Sequence, residues 1–189
     1  MFNRVTSYLV LGILAAMSGW LAELLAPKDD TQSKPPPGRI DYYTKTLRRT
    51  VMDETGKPKE LLLAEQLTHY DNDDHSELTR PVMTLFSKNG PPWVIHAESA
   101  RIPAESDEIY LYGEVLIVRE SDEKGRTIRI ETRNARVQPD RQYAETDEFV
   151  RVLSPPDTLT GTGAKVHFGD DLNFTVLSNV RRKHEAQPE

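Results

Sequence analysis

The chain of 189 residues has no cysteine. That absence excludes a disulfide scaffold, thiolate zinc or iron–sulfur ligation, a cysteine nucleophile and a lipidated cysteine behind a lipoprotein signal. Basic residues are outnumbered, 24 Lys and Arg against 30 Asp and Glu, for a formal charge of −6. An acidic surface disfavours nucleic acid, and none is expected as a partner. Signatures of chemistry are missing too. No Gly-Lys-Ser/Thr follows Gly161-Thr162-Gly163, and neither an HExxH pair nor a nucleophile elbow occurs. A hydrolase built on His167 or His96 with an aspartate lacks any positional support, so the chain reads as a non-enzyme without cofactor.

What is there begins with an apolar stretch. Residues 5–26 read VTSYLVLGILAAMSGWLAELLA, 22 residues that as a helix reach about 33 Å against a hydrocarbon core of roughly 30 Å. The only charge inside is Glu23, near the far end, and Tyr8 and Trp20 lie toward opposite ends as interfacial aromatics do. This predicts a single transmembrane helix. A cleaved signal peptide is the competing reading, but Pro27 directly after the small-residue site makes a poor cleavage junction. Arg4 precedes the span, which places a short cytoplasmic tail at residues 1–4 and the rest of the chain outside. Residues 27–39 carry charge, three consecutive prolines and a glycine, and predict an extended linker.

From residue 40 to 184 the sequence reads as strands and turns, an all-β domain, followed by a flexible tail at 185–189. A repeat with a period of about 30 to 35 residues organises it. Four segments align: LLLAEQLTHYDNDDHSELTRPVMTLF, WVIHAESARIPAESDEIYLYGEVLIV, IRIETRNARVQPDRQYAETDEFVRVL and LTGTGAKVHFGDDLNFTVLSNVRR. Each opens with a strand holding a small residue near its centre (Ala64, Ala97, Thr132, Gly161) and a second small or apolar position three further on (Leu67, Ala100, Ala135, Ala164). A returning strand carries Val82, Val115, Val150 or Val180, so the expected architecture is a stack of antiparallel hairpins.

Alternation assigns the faces. Trp93, Ile95 and Ala97, then Ile109, Leu111, Val115 and Ile117, then Ile128 and Ile130, then Phe174, Val176 and Val180 are expected inside. Leu78 is read in phase with Val82, and Arg182 and His184 in phase with Val180. The opposite face carries His96, Glu98, Glu114, Arg129, Glu131 and Asn179. Small residues at the repeat centres fit either tight packing or room for a ligand, and their recurrence tilts the reading toward an open interior. Stacked hairpins leave both outer strands unpaired, with Tyr43 on the first and Val180 and Arg182 on the last as candidate partner-edge residues.

His69-Tyr70-Asp71-Asn72-Asp73-Asp74-His75 invites a metal reading, but an EF-hand loop counted from Asp71 would need glycine and glutamate where Ser76 and Val82 stand. A solvated turn is expected there, without metal. Arg80 and Arg182, both read in inward phase, are candidates for meeting anionic groups at the mouth of the interior.

The order of short tail, apolar span, Pro-rich linker and repeated strands, with ELTRPVMTLF, IYLYGEVLIV and LSNVRRKHE at their places, resembles the LptC family of the lipopolysaccharide export machinery. The resemblance implies a twisted, boat-shaped β-jellyroll in the periplasm, tethered to the inner membrane. It implies a module that receives lipopolysaccharide from an ABC transporter with LptF-, LptG- and LptB-like subunits, holds the acyl chains inside, and passes the lipid to an LptA-like bridge protein. It implies lipid contact at Leu47, Leu78, Phe174 and His184, beside the inward Ile95, Leu111, Val115 and Val176. Members commonly have an aromatic where His184 stands. Gly56 matches a family glycine in a turn that favours a permissive residue, and Gly113, inside IYLYGEVLIV, is a second structural candidate. The rival function is a membrane-anchored scaffold that pairs strand edges with partners and keeps its core filled.

Overall fold

A computed structural model describes residues 15–18, 39–87, 90–104, 106–120, 127–168 and 173–184. The chain divides into two units, residues 1–35 and 36–189. In the first, residues 15–18 are helical. Among the described residues no helix is long and apolar enough to cross a membrane. The expected tail at 1–4, the rest of the span at 5–26, the linker up to Gly38 and the tail at 185–189 lie outside the described residues.

The second unit is built from ten strands: β1 (Ile40–Met52), β2 (Pro58–Tyr70), β3 (His75–Thr79), β4 (Val82–Leu85), β5 (Trp93–Ile102), β6 (Ile109–Arg119), β7 (Ile128–Gln138), β8 (Tyr143–Ser154), β9 (Asp157–His167) and β10 (Asn173–His184). They form one antiparallel sheet in chain order, a meander. β3 and β4 occupy a single place, since both pair with β2 and with β5. The break between them is Arg80-Pro81, where Arg80 takes φ +46° and proline has no N–H for the ladder. The helix-forming composition of residues 61–67 is overridden, as the repeat predicted: they lie in β2, paired on both sides.

Transverse to the strands runs a crease, and it accounts for the repeat. In β2, β5, β7 and β9 the inward side chains switch phase across a gap of three residues, Ala64 to Leu67, Ala97 to Ala100, Thr132 to Ala135 and Gly161 to Ala164. In β6 and β8 phase is kept across a gap of four, Leu111 to Val115 and Thr146 to Val150. The extra residue on the returning strand is a β-bulge, seen as register shifts between β5 and β6, β6 and β7, β7 and β8, and β8 and β9. Left-handed residues mark the same line: Thr46, Arg80, Gly113, Asn134, Gly163 and Asn179.

Backbone groups freed by the shifts are met by threonine. The Thr146 hydroxyl lies 3.0 Å from the Arg133 carbonyl and 2.9 Å from that of Asn134, and accepts the Glu148 N–H at 3.1 Å. Thr132 donates to the Phe149 carbonyl at 2.9 Å. Both threonines are buried, so the crease is stitched from inside.

Across the crease the two halves of the sheet meet. Trp93 at the start of β5 packs on Phe168 just after β9, ring centroids 5.3 Å apart, although these strands are not neighbours in the sheet. Both rings are fully buried. Arg119 covers the Trp93 ring at 5.3 Å. Lys59, at the start of β2, ion-pairs with Asp140 in the 3-10 turn Pro139–Arg141 at 2.5 Å. Between the halves lie Leu62, Leu78, Met83, Ile95, Leu111, Val115, Ile117, Ile130, Val137 and Val150, all buried.

Three phase expectations are corrected. Val82 does not share a face with Leu78: it pairs with His96 on the outer face, and Met83 takes the inward place, because the Arg80-Pro81 break flips the strand. Arg80 is not inward; it is exposed and bonds Glu65 at 2.5 Å. Val180 is 55% exposed rather than core, because Asn179 (φ +53°) interrupts β10 and no strand among the described residues covers it.

Candidate functional site

The inner face of the sheet is largely apolar, with Glu60 and Arg119 as buried charged exceptions, and its burial is graded. In the central strands Ile95, Leu111 and Val115 are nearly inaccessible. Toward the two outer strands, Leu47 of β1, Leu67 of β2, Leu159 of β9 and Phe174 and Val176 of β10 are only partly buried against the same core. Leu78 sits at 1% exposure, paired between Leu67 and Ala100. The central core is close-packed: a void of about 10 Å³ lies among Ile117, Ile130, Ala135, Ala144, Ala164 and Val166. Around these residues the small side chains bring the two halves close in this conformation. An open groove of about 690 Å³ borders β1 at the crease, lined by Leu47, Ala64 and Ala97 together with the outer-face Arg48, Leu63, Val82 and His96, and by Glu65, Arg80 and Pro81.

Among the described residues β1 pairs only with β2, and β10 only with β9, so each presents a free edge. Ile40, Tyr42, Tyr43 and Met52 are exposed large side chains on the first, Leu177 and Val180 on the last. Tyr43 is the most exposed of these at 64%. At the end of β10, Arg182 makes a two-point contact with Asp157, 3.2 and 2.9 Å, and His184 reaches the same carboxylate at 2.9 Å. The Arg182 hydrogen bond, then that of His184, hold the Asp157 carboxyl below its ordinary range. His184 is exposed, beside Asp157 and away from the core.

The two structural glycines are both left-handed, at φ +79°. Gly56 closes the turn after β1, with its N–H on the Asp53 carbonyl at 3.0 Å. The Asp53 carboxylate in turn accepts from the Thr55 hydroxyl and from the Thr55 and Lys57 amides. Gly113 sits on the crease, donating to Asn134 Oδ1 at 3.1 Å.

In the His69 to His75 segment the carboxylates are used locally: Asp73 bonds His75 and Arg101, and Asp74 lies 3.2 Å from His69. His69 stacks on Tyr42 and His75 on Tyr70. His96 is exposed on the outer face, and His167 leans on Tyr143 at 4.8 Å.

Two features escaped the pattern reading. Phe168, which seals the interior, is in phase with Ala164 and Val166, so alternation carried the signal. Glu60 is in phase with Leu62 and Ala64 and is 7% exposed on the inner face. Burial raises its carboxyl above the ordinary range, with Arg49 partly offsetting the rise. The folded chain thus holds this proton more tightly than the unfolded one. Its contribution to stability is fullest below the ordinary glutamate value of about 4.3 and is lost as pH rises through the raised value. Urea titrations of Glu60→Gln and the unaltered chain from pH 4 to 7 should diverge as pH rises, the variant becoming the more stable; a constant difference would refute this.

The family model described as "Lipopolysaccharide-assembly, LptC-related" matches residues 8–185. The chain belongs to the LptC family. Among curated LptC relatives it is 27% identical to the lipopolysaccharide export system protein LptC of Escherichia coli strain K12 over 194 aligned positions, covering 98% of this chain and 96% of that one. The LptC protein of Shigella flexneri gives the same figures. Among solved structures, LptH of Pseudomonas aeruginosa, described as the LptA homologous periplasmic component of the conserved lipopolysaccharide transport device, superposes with a TM-score of 0.50 at 9% identity. It covers 68% of this chain and 95% of that one, and shows that this LptC-family member shares its fold with an LptA-like protein.

Proposed function

We propose that this LptC-family chain is a lipopolysaccharide-transport component of the inner membrane. In this reading residues 5–26 span the bilayer once with the amino terminus in the cytoplasm, and residues 40–184 stand in the periplasm as a boat-shaped β-jellyroll. The jellyroll receives lipopolysaccharide from an ABC transporter with LptF-, LptG- and LptB-like subunits and passes it to an LptA-like bridge. The observation that carries the reading is the largely apolar inner face, least buried at the two free edges, where a lipid would enter and leave. Each methylene moved from water to such a face gains about 0.8 kcal/mol, so partial burial of a few acyl chains suffices to hold the lipid in transit.

Leu47, Phe174 and Val176 are the accessible acyl contacts. Leu78, Ile95, Leu111 and Val115 become contacts when the halves part along the crease. Tyr43, Val180, Arg182 and His184 lie at the edges where partner strands pair.

Photo-crosslinking in cells tests this, with the probe at inward Leu47, Leu78 and Phe174 and at their outward neighbours Thr79 and Thr175. Lipopolysaccharide adducts are expected at the three inward positions, strongest at Leu47 and Phe174, and absent from the threonines. The close-packed central core favours one rival, a scaffold that recruits partners by edge pairing and binds no lipid. Adducts to proteins alone would establish that rival.

A further inference from the structure

Charge is distributed unevenly over the inner face. On one side of the crease, the paired inward positions hold no lysine, arginine, aspartate or glutamate in any strand. On the other side stand three arginines. Arg49 of β1 pairs with Leu62, Arg119 of β6 with Trp93 and Arg182 of β10 with Leu159, and Leu62 and Trp93 are core while Leu159 packs against it. Arg119 is buried over the Trp93 ring. Arg49 and Arg182 are exposed, one on each free edge strand.

Resting on the transport reading above, we infer that Arg49 and Arg182 are the headgroup contacts: they receive the lipid's phosphate groups at the entry and exit edges. The acyl chains then lie toward the uncharged side of the crease.

The chemistry suits an exchange of partners. A guanidinium forks onto phosphate as it does onto carboxylate. Arg182 already makes the forked contact with Asp157, and His184 stays beside that carboxylate when Arg182 turns away. Arg49 pairs with Leu62, two residues from the buried Glu60, whose carboxyl is a poor competitor for a solvated cation because burial disfavours its charged form. At the exit edge the protein supplies the ion partner itself, since Asp157 holds Arg182 when no lipid is there. The outward Arg80, bound to Glu65, takes no part.

The test uses the full chain in detergent micelles and two probes, bisphosphorylated lipid A and the same lipid with its phosphates removed. Equilibrium binding is measured for the unaltered chain, for Arg49→Ala, Arg182→Ala and the double variant, and for the outward controls Arg48→Ala and Arg181→Ala. The double variant should lose about tenfold or more in affinity for the phosphorylated lipid, with little change for the dephosphorylated one. Each single variant should lose part of this, and the controls none. Thermal unfolding by circular dichroism confirms that the variants fold. Equal losses for both lipids, or no loss while the unaltered chain binds, would overturn the headgroup role and leave the transport reading standing. Failure of the unaltered chain to bind either lipid would overturn both.

Discussion

Replacing Trp93 by alanine should destabilise the β domain by about 3–5 kcal/mol, the range for removing a large buried aromatic. Trp93 is fully buried and touches the fold at three levels. It pairs in the sheet with Leu85 and Arg119, meets the Phe168 ring across the interior at a tilt of 52°, and carries the Arg119 guanidinium on its face. Its loss leaves a cavity where the two halves of the sheet meet and a buried cation without its ring. Trp93→Phe should cost much less, since the indole nitrogen has no hydrogen-bond partner to lose. Urea denaturation followed by far-ultraviolet circular dichroism measures both. A loss below about 1 kcal/mol for the alanine variant would mean that the Trp93–Phe168 contact does not hold the halves together. If the halves part for a lipid, the weakened seal should also raise the lipid adducts formed at Leu78.

Gly113→Val should cost about 2–6 kcal/mol, from two independent sources. The backbone is left-handed at φ +79°, a conformation that costs a β-branched residue about 1–3 kcal/mol. A Cβ added there would lie 2.2 Å from Glu98 Oε2 and 2.8 Å from Glu98 Cβ, an overlap that typically costs a further 1–3 kcal/mol. The carboxylate end of Glu98 can swing away, but its Cβ moves only with β5. Glu98→Ala in the Gly113→Val background should therefore recover the part of the overlap due to the carboxylate end and leave the Cβ contact and the backbone strain. Gly56→Ala is the contrast: φ is the same +79°, yet nothing lies within 4 Å of the new Cβ. Only the left-handed penalty of roughly 1–2 kcal/mol applies there. Equal effects at the two glycines, measured by the same denaturation, would refute the steric part.

Much of the domain could be read along the chain because side chains in a strand alternate strictly. The buried faces of β5, β6 and β7 follow from Trp93, Ile95, Leu111, Val115 and Ile130 without any knowledge of which strand lies beside which. The failures fall where alternation itself breaks. Val82 and Arg80 were misplaced because a left-handed residue before proline flips the strand between Leu78 and Met83. Val180 was misplaced because burial depends on a neighbour, and beyond β10 there is none among the described residues. The three-residue gaps at Ala64, Ala97, Thr132 and Gly161 were visible as a repeat, but their meaning was not. A gap of three signals a change of face only once the returning strand is seen to bulge beside it.

The sequence alone thus determined the strand content, the inward face of the central strands, the turn at Gly56 and the membership of a family, since these rest on local backbone preferences and on period-two patterning. Only the tertiary structure decided that the sheet folds on itself along one crease and that Trp93 meets Phe168 across it. It likewise decided that the central core is close-packed in this conformation, and that Arg49 and Arg182 pair with inward residues on the two edge strands. Those outcomes depend on register between strands and on contacts between residues far apart in the chain, and neither is written in any single segment.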